Sequence, residues 1–505
     1  MPRQGVINPE TNPELVAKTG IEGLDDILKG GLHRGRLYLV EGIPGSGKTT
    51  LAMQFLLEGV RRGEPVLYIT LSETSEELQS VARSHGWSLD GVTIRELLPN
   101  ENLLETEQQY TMYHPSEVEL ASTTRMILDE VTRLKPTRIV FDSLSELRLV
   151  AGNPLRYRRQ ILALKQYFTG RQCTVILLDD MTAADDLHVQ SIVNGVIFLQ
   201  HMSPEYGAER RRLRVVKYRG SEFRGGYHDY LIRRGGLAVF PRLIAAEHRQ
   251  PTGEVKLQSD VRELDQLLGG GIEEGTSTLV VGGAGTGKST MAAQFCCAAA
   301  RRGQKSVIFV FDENPNTLLT RCASLNIPIE QCLKDGLLSI VQVDPAELSP
   351  GELSHLIRRA VEKDEAKIVV IDSLNGYLHS MPEERFLTIQ LHELLMYLSQ
   401  KGVASLLVGA HHGLIGSQMH TPVDASYLAD AVILLRYFET RGAVRQAISV
   451  VKKRGSQHER TIREFGMDKG GIRVGEPLRE FRGILTGVPE YEGPSEPLLA
   501  TDRRT

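Results

Sequence analysis

Two glycine-rich segments of this 505-residue chain have the residue types and spacing that bind a triphosphate. GIPGSGKT ends at Thr49 and GGAGTGKS ends at Ser289, and both fit G-x-x-x-x-G-K-[ST] in full. The glycines of such a loop let backbone N–H groups surround the phosphates, while the lysine neutralises phosphate oxygens and the hydroxyl ligates Mg²⁺. Each loop follows an apolar run typical of a strand and precedes a run typical of a helix. The sequence therefore predicts two ATP sites per chain.

The residues that we expect to contact ATP lie at the end of each loop. They are Gly45, Ser46, Gly47, Lys48, Thr49 and Thr50 in the first half, and Gly285, Thr286, Gly287, Lys288, Ser289 and Thr290 in the second. Lys48 and Lys288 are also expected to stabilise charge on the transferred phosphoryl group, and Thr49 and Ser289 to ligate Mg²⁺.

Carboxylates stand where the next predicted strands end. Glu73 ends VLYITLSE, and Asp312 and Glu313 end VIFVFDE. Strand carboxyl ends face bound phosphates in a doubly wound sheet, so these acids are placed to polarise water or accept a hydroxyl proton. Asp142 and Asp372 end further apolar strands and are expected to hold Mg²⁺ through water. For Glu73, Asp312 and Glu313 the alternative is an ordinary solvated acid at a strand end. For Asp142 and Asp372 the alternative is a helix cap.

A basic motif, K-x-R-G-S, occurs late in each half, at Lys217 and Arg219 and again at Lys452 and Arg454. The i, i+2 spacing puts both cations on one face of a strand. Because such residues seldom reach the γ-phosphate of their own chain, the motif predicts phosphate ligands supplied in trans to a neighbouring subunit, as arginine fingers are. A DNA-binding stripe with the arginines between 210 and 214 is the alternative, but that cluster lacks interleaved aromatic residues.

The two halves share these features in the same order, at offsets of 230 to 240 residues, which indicates a tandem duplication. Continuous apolar runs predict strands that are covered on both faces and hence parallel, and the late runs predict an antiparallel extension. The predicted strands lie near 36–41, 65–72, 137–142, 173–179, 195–200 and 211–218, and near 276–281, 306–312, 367–372, 403–409, 431–437 and 445–452. The fold class is α/β, with two tandem P-loop domains, 1–245 and 246–492, and a flexible tail at 493–505.

Composition limits the classes of function. The chain has 41% hydrophobic and 24% charged residues and a net charge of -4, so nothing draws it as a whole to nucleic acid or an anionic membrane. Its five cysteines lack metal-site spacing and are expected to be reduced thiols. The first residues are too polar for a signal peptide, and no apolar run approaches 18 residues. The expected location is the cytoplasm.

Taken together, LDxxLxGG before each loop, the two lysine loops, the strand-end acids and the repeated K-x-R-G-S resemble the KaiC family, the cyanobacterial circadian-clock ATPases and autokinases. The resemblance covers about residues 14 to 491. It implies two RecA-like domains, a homohexameric ring with ATP and Mg²⁺ at subunit interfaces, and a KaiB-like protein partner. It also implies ATP hydrolysis in the first domain, with serine autophosphorylation and autodephosphorylation in the second.

The resemblance places the phosphoacceptors in TPVDASYLAD. Ser426 matches the family's serine acceptor, Tyr427 stands where the family has threonine, and Thr421 matches a further threonine. Asp312 replaces the family's first glutamate and is expected to assist Mg²⁺, while Glu313 takes the hydroxyl proton. The first domain has Ser72 in place of that partner, so its hydrolysis rate is expected to differ.

A rival hypothesis is a RecA-like, DNA-dependent ATPase of the recombinase or helicase type, which the shared fold permits. The acidic balance of the chain and the lack of a basic, aromatic-bearing loop after Asp142 argue against it. ATP hydrolysis stimulated by nucleic acid, with a steep salt dependence, would favour it. A nucleotide-regulated scaffold with negligible turnover is a third alternative.

Overall fold

The computed structural model describes residues 15–97, 115–180, 187–205, 207–248, 255–379, 387–410, 427–440, 442–484 and 490–491. The chain forms two compact units that divide between Arg242 and Leu243.

The first unit alternates strands and helices. Its strands are β1 Val16–Ala17, β2 Leu32–His33, β3 Leu37–Gly42, β4 Val66–Thr70, β5 Val92–Glu96, β6 Arg138–Asp142, β7 Thr174–Asp180, β8 Gly195–Met202, β9 Arg210–Tyr218, β10 His228–Arg233 and β11 Gly236–Phe240. Its helices are α1 Glu22–Ile27, α2 Lys48–Arg61, α3 Ser75–Ser84, α4 Pro115–Leu134, α5 Leu144–Ala151, α6 Pro154–Thr169 and α7 Leu187–Ile192.

The second unit repeats this arrangement. Its strands are β12 Lys256–Leu257, β13 Ile272–Glu273, β14 Ser277–Gly282, β15 Lys305–Val310, β16 Leu338–Gln342, β17 Ala366–Asp372, β18 Ala404–Ala410, β19 Ala431–Thr440, β20 Ala443–Lys453, β21 Arg463–Asp468, β22 Gly471–Pro477, β23 Phe481–Arg482 and β24 Glu490–Tyr491. Its helices are α8 Arg262–Leu267, α9 Lys288–Arg301, α10 Pro315–Ser324, α11 Ile329–Lys334, α12 Pro350–Glu362, α13 Leu374–His379 and α14 Leu387–Gln400.

Each unit is built on one nine-stranded sheet within its described residues. The strand order is β11-β10-β9-β8-β3-β7-β6-β4-β5 in the first and β16-β15-β17-β18-β14-β19-β20-β21-β22 in the second. The strands from β5 to β8 pair in parallel, and β9, β10 and β11 extend the sheet in antiparallel fashion. The second sheet has the same pattern. The predicted α/β class, with two mostly parallel sheets flanked by helices, is confirmed.

Helices cover both faces of the parallel strands, which explains their continuous apolar runs. Val40 of β3 lies in one apolar core with Phe55 of α2. The next residue towards the N-terminus, Leu39, points to the opposite face, in a second core with Ile161 of α6. The second unit likewise has one core on each face of its sheet.

The sequence prediction missed the outermost strands. β5 and β16 lie at the sheet edges, and their residues are mostly half-buried or exposed rather than continuously apolar. On the antiparallel side, β10 and β22 alternate buried residues with less buried ones, β21 is mostly half-buried, and the short strand β11 is mostly buried. Apart from β11, these strands have few fully buried residues, so the continuous apolar signal that identified the central strands is weak there. β11 is apolar but only five residues long, and sequence analysis missed it.

Candidate functional site

The two lysine loops have matching backbone geometry. Gly47 and Gly287 each have φ of 94° and precede the first residue of α2 and α9. A Cβ on Gly47 would lie 2.7 Å from Ile232, and one on Gly287 would lie 2.7 Å from Met467. Glycine is therefore required here for its left-handed conformation and for space. The resulting helix N-termini present backbone N–H groups in the manner that binds phosphate.

The loop lysines are buried and satisfied by backbone oxygens. Nζ of Lys48 donates to the carbonyls of Gly42 (2.8 Å) and Ile43 (3.1 Å) and also lies 2.7 Å from a carboxylate oxygen of Asp180. Nζ of Lys288 donates to the carbonyls of Gly282 (3.0 Å) and Gly283 (2.7 Å). Both ammonium groups are thus held inside their loops, where phosphate oxygens would compete for them.

The hydroxyl side chains next to the lysines point inward. Ser46 and Thr286 are fully buried, and Thr50 and Thr290 are buried as well. Thr286 Oγ1 donates to the carbonyl of Gly283 (2.9 Å), and Thr50 Oγ1 lies 3.4 Å from Nε2 of His85. The backbone N–H groups of Ser46 and Thr286 donate to the carbonyls of Ile43 (3.2 Å) and Gly283 (3.4 Å). The contacts of these four residues, and of Gly45 and Gly285, with ATP stay predictions.

In the first site, strand pairing brings the predicted acids to the lysine loop. Asp142, at the end of β6, is buried and accepts hydrogen bonds from Thr49 (3.3 Å) and from Tyr68 (2.5 Å). Burial raises the pKa of Asp142, although these two hydrogen bonds and the nearby Lys48 act in the opposite direction. Sequence analysis had not identified Tyr68, because a tyrosine within a strand reads as an ordinary core residue.

Glu73 lies beside Asp142 because β4 and β6 pair in register, with Thr70 opposite Asp142. Thr70 Oγ1 fixes the turn that carries Glu73: it accepts from the Glu73 N–H (2.9 Å) and donates to the Glu73 carbonyl (2.8 Å). Oε2 of Glu73 is buried and has no hydrogen-bond partner among the described residues. Burial, followed by the charge of Asp142, raises the pKa of Glu73, which suits a group that must accept a proton near neutral pH.

The second site has the same strand-end acids with different partners. Burial raises the pKa of Asp372, and a hydrogen bond from Ser289 acts in the opposite direction. Ser373 Oγ donates to Asp312, which orients that carboxylate. Both oxygens of Glu313 accept from Arg321, at 2.6 and 2.8 Å.

These residues fit Mg²⁺ at both sites. A hydroxyl oxygen, Thr49 or Ser289, lies next to a buried carboxylate, Asp142 or Asp372, and such hard oxygen donors are those that Mg²⁺ prefers. Asp312 adds a further carboxylate in the second site. In the described part of the chain no group of three or more His, Cys, Asp or Glu residues is arranged to hold a metal.

The K-x-R pairs lie away from the lysine loops of their own units. Lys217 pairs with Val196, which in turn pairs with Leu39, three residues before Gly42. At about 3.3 Å per residue, Lys217 is displaced by roughly 10 Å along the sheet from Gly42, where the loop begins. Lys452 pairs with Val432, and the displacement is the same.

The four cations of these motifs contact backbone carbonyls of their own units. Nζ of Lys217 donates to the carbonyl of Gln190 (2.6 Å), and Arg219 donates to that of Ser191 (3.3 Å). The matching donors in the second unit are Lys452 to Ala429 (2.7 Å) and Arg454 to Tyr427 (3.1 Å). The Arg219 contact, at 3.3 Å, is longer than an ordinary N–H···O hydrogen bond. Arg454 also lies 3.6 Å from a carboxylate oxygen of Asp430.

The predicted phosphoacceptors are only partly described. Ser426 and Thr421 lie outside the described residues, whereas Tyr427 is described and its side chain is 54% exposed.

Two further residues of the sites had escaped sequence analysis. Asp180 ends β7, whose carboxyl end lies beside the first lysine loop, so its strand-end position was an available signal. Arg321 is on α10, eight residues after Glu313, and no sequence pattern marked it.

A family model described as "ATPase: KaiC" matches residues 17–244 and again 257–479. The chain is 28% identical to "Circadian clock protein KaiC3" of Synechocystis sp. over 97% of this chain and 98% of that protein. It is 27% identical to "Circadian clock oscillator protein KaiC" of Thermostichus vulcanus, covering 93% of this chain and 91% of that one. For the protein of the same name in Synechococcus elongatus the values are 27%, 95% and 94%.

The described helices include none that is both long and apolar enough to span a bilayer.

Proposed function

This chain belongs to the KaiC family of ATPases, and we propose that its two sites have different activities. The first site hydrolyses ATP, and the second transfers phosphate to Ser426 and removes it again. The proposal is supported above all by one arrangement that occurs in both units. A lysine loop lies against a buried strand-end aspartate, with a glutamate carried on the neighbouring strand.

In the first site, Glu73 accepts a proton from water as the water oxygen attacks the γ-phosphorus. The bond from that phosphorus to the β,γ-bridging oxygen breaks, which yields ADP and phosphate. Lys48 and the backbone N–H groups around Gly47 stabilise the charge that develops on the phosphate oxygens. Thr49 and Asp142 would hold Mg²⁺, which supplies additional charge neutralisation at the β and γ oxygens.

In the second site, the nucleophile is the Ser426 hydroxyl and Glu313 accepts its proton. A bond forms between the serine oxygen and the γ-phosphorus, and ADP leaves. Lys288 stabilises charge on the phosphoryl group, while Ser289, Asp372 and Asp312 are the residues that would hold Mg²⁺. Tyr427 and Thr421 are further acceptors of the same segment.

We further propose that the chain works as a homohexameric ring with ATP between subunits. Lys217 and Arg219 of one subunit would contact the phosphates held by the first lysine loop of its neighbour, and Lys452 and Arg454 would do the same at the second. The support for this is positional: each cation pair is displaced along the sheet from the loop of its own unit, so completing its own site would require a long reach. At an interface between subunits, the cation pair of one subunit could lie next to the loop of its neighbour without such a reach.

By its kinship with circadian-clock proteins, we propose a cytoplasmic, clock-related signalling role with a KaiB-like partner. DNA-dependent turnover is the competing function. The arginines of β9 support it, and one of them, the exposed Arg214, lies over the rings of Phe198 and Tyr227. The net charge of -4 argues against it.

Two experiments test the proposal. The protein is incubated with Mg-ATP and its phosphosites are mapped beside a Ser426→Ala control. Phosphate on Ser426 supports the autokinase, and its absence from Ser426, Tyr427 and Thr421 would leave an ATPase alone. Single-stranded DNA is included in a parallel hydrolysis assay, and a salt-sensitive stimulation would favour the DNA-dependent alternative.

Sharing of the sites is tested by mixing subunits. Lys48→Ala removes a loop lysine and Lys217→Ala removes a trans ligand, so each homogeneous variant should be inactive at the first site. In a mixed ring, some interfaces combine an intact loop with an intact cation, and hydrolysis should partly return. If no mixture regains activity, ligation in trans is wrong.

A further inference from the structure

Glu313, the proposed base of the second site, is held by an arginine that has no counterpart at Glu73 among the described residues. Arg321 donates one hydrogen bond to each carboxylate oxygen of Glu313, at 2.6 and 2.8 Å. This two-point geometry is the strongest form of arginine–carboxylate contact. Both carboxylate oxygens of Glu313, the atoms that would take a proton, therefore already accept hydrogen bonds from a cation.

The corresponding position of the first unit carries no charge. α3 and α10 occupy the same place in their units, after β4 and β15 respectively, and each is ten residues long. The residue of α3 that matches Arg321 is Val81, which packs against the apolar core. Oε2 of Glu73 consequently has no hydrogen-bond partner among the described residues.

Helix α10 fixes the position of the Arg321 backbone. The Asn314 side chain caps the helix by accepting from the N–H of Asn316 (2.8 Å), and the buried residues Leu318 and Cys322 anchor it to the core. Arg321 is adjacent in sequence to Cys322 and lies two turns after Glu313, so the guanidinium reaches back over the helix N-terminus. The contact thus depends on a rigid element rather than on a loop.

We propose that Arg321 is a positioning residue that restrains Glu313 and slows the attack of water at the second site, so that ATP bound there persists for transfer to a hydroxyl. This inference rests on the proposed role of Glu313 as the proton acceptor. For water to be activated, Glu313 must give up at least one of its two contacts with the guanidinium. The pair is partly exposed, 35% for Arg321 and 23% for Glu313, so it can open without disrupting the core.

The test measures hydrolysis at the second site alone, in the full-length protein. Glu73→Gln silences the first site while leaving its nucleotide loop intact. In that background, Arg321→Val introduces the residue of the first unit, and Arg321→Lys keeps the charge but loses the two-point contact. We expect kcat to rise about tenfold with valine, equal to ~1.4 kcal/mol of barrier, and to a smaller extent with lysine. KM for ATP should stay unchanged, because the hydrogen bonds of Arg321 are made to Glu313 and not to the lysine loop.

The matched reciprocal variant is Val81→Arg in a Glu313→Gln background, where first-site hydrolysis should fall roughly tenfold. A salt series adds a measurement that a purely structural role would not affect. Because the pair is partly exposed, raising ionic strength should increase second-site hydrolysis in the Glu73→Gln protein but not after Arg321→Val. Arg321→Gln serves if the valine variant does not fold.

The possible failures are distinguishable. If Glu313→Gln in the Glu73→Gln background leaves second-site turnover unchanged, Glu313 is not the base and that part of the proposed function is wrong. If Glu313→Gln lowers turnover but Arg321→Val, Arg321→Lys and Arg321→Gln all leave it unchanged or lower it too, the restraint alone is wrong, and Arg321 instead supports the base.

Discussion

The two nucleotide sites have the same backbone arrangement, but their charged side chains are paired differently. In the first, the loop lysine Lys48 has a carboxylate neighbour, Asp180, while the proposed base, Glu73, has a buried oxygen without a described partner. In the second, the glutamate is paired with Arg321, and Ala410 stands opposite Gly282, where Asp180 stands opposite Gly42. The elements that depend on backbone geometry recur in both units, and single residues around them differ in which charged group they contact.

The largest expected difference between the sites concerns their bases. Glu73→Gln should lower steady-state phosphate release by about 10²–10⁴-fold at the first site, because a general base contributes that much. Glu313→Gln should leave first-site hydrolysis intact, so total phosphate release should fall far less. A larger loss of total turnover with Glu313→Gln would reverse the assignment of the hydrolytic site.

A second difference lies in the cores. Arg138 is fully buried in the first unit, where it donates to Glu64 (2.6 Å) and to two backbone carbonyls, and Ile368 takes its place in the second. Glu64→Gln should destabilise the first unit by about 3–5 kcal/mol, since it leaves a buried charge without its counter-ion. The chain has one tryptophan, Trp87, so its fluorescence during urea unfolding reports on this unit selectively.

The matched control is Arg34→Ala, which removes the more exposed partner of Glu64 and should cost less than about 1 kcal/mol. Equal losses from both variants would mean that burial of Arg138 is not what matters. Burial alone would raise the pKa of Glu64, but hydrogen bonds from Arg138 and Arg34 lower it to about 2. A lowered carboxyl pKa stabilises the fold fully above its ordinary value of 4.5, and this stabilisation is lost as the pH falls towards 2.

The two lysine loops should differ in their affinity for ATP. Asp180→Ala removes an anion 2.7 Å from Nζ of Lys48, and nucleotide affinity at the first site should rise about tenfold, since like charge near the phosphates is lost. Ala410→Asp is the reciprocal change and should weaken binding at the second site. Titration with a fluorescent ATP analogue measures both. Weaker binding after Asp180→Ala would instead make this carboxylate part of the Mg²⁺ environment.

The smallest effect concerns pH. Burial and Asp142, with Glu77 as a further contributor, raise the pKa of Glu73, so the acid limb of first-site hydrolysis should lie above the ordinary glutamate pKa. Glu77→Gln removes one negative charge while glutamine can still complete the capping box with Thr74, so the helix should persist. The acid limb should move to lower pH in a pH–rate profile. A shift to higher pH, or none, would show that the limb belongs to another group.

Much of the architecture was predictable because it depends on local pattern. The central strands were identified from continuous apolar runs, and their carboxyl ends correctly placed Asp142 and Asp372 beside the lysine loops. The edge strands β5 and β16 were missed because half-covered strands lack that signal. Strand order could not be predicted from the sequence either, because which strands become neighbours depends on how the helices cross the sheet.

What the sequence by itself determined is the pair of phosphate loops and the acids that follow at fixed distances along the chain, because glycine conformations and strand direction are local properties. Only the tertiary structure decided which charges meet. Asp180 reaches Lys48 because β7 and β3 are neighbours, and Arg321 reaches Glu313 because a capped helix folds back over its own start. Such pairings depend on the spatial proximity of separate elements, and residue order alone does not encode that proximity in any short pattern.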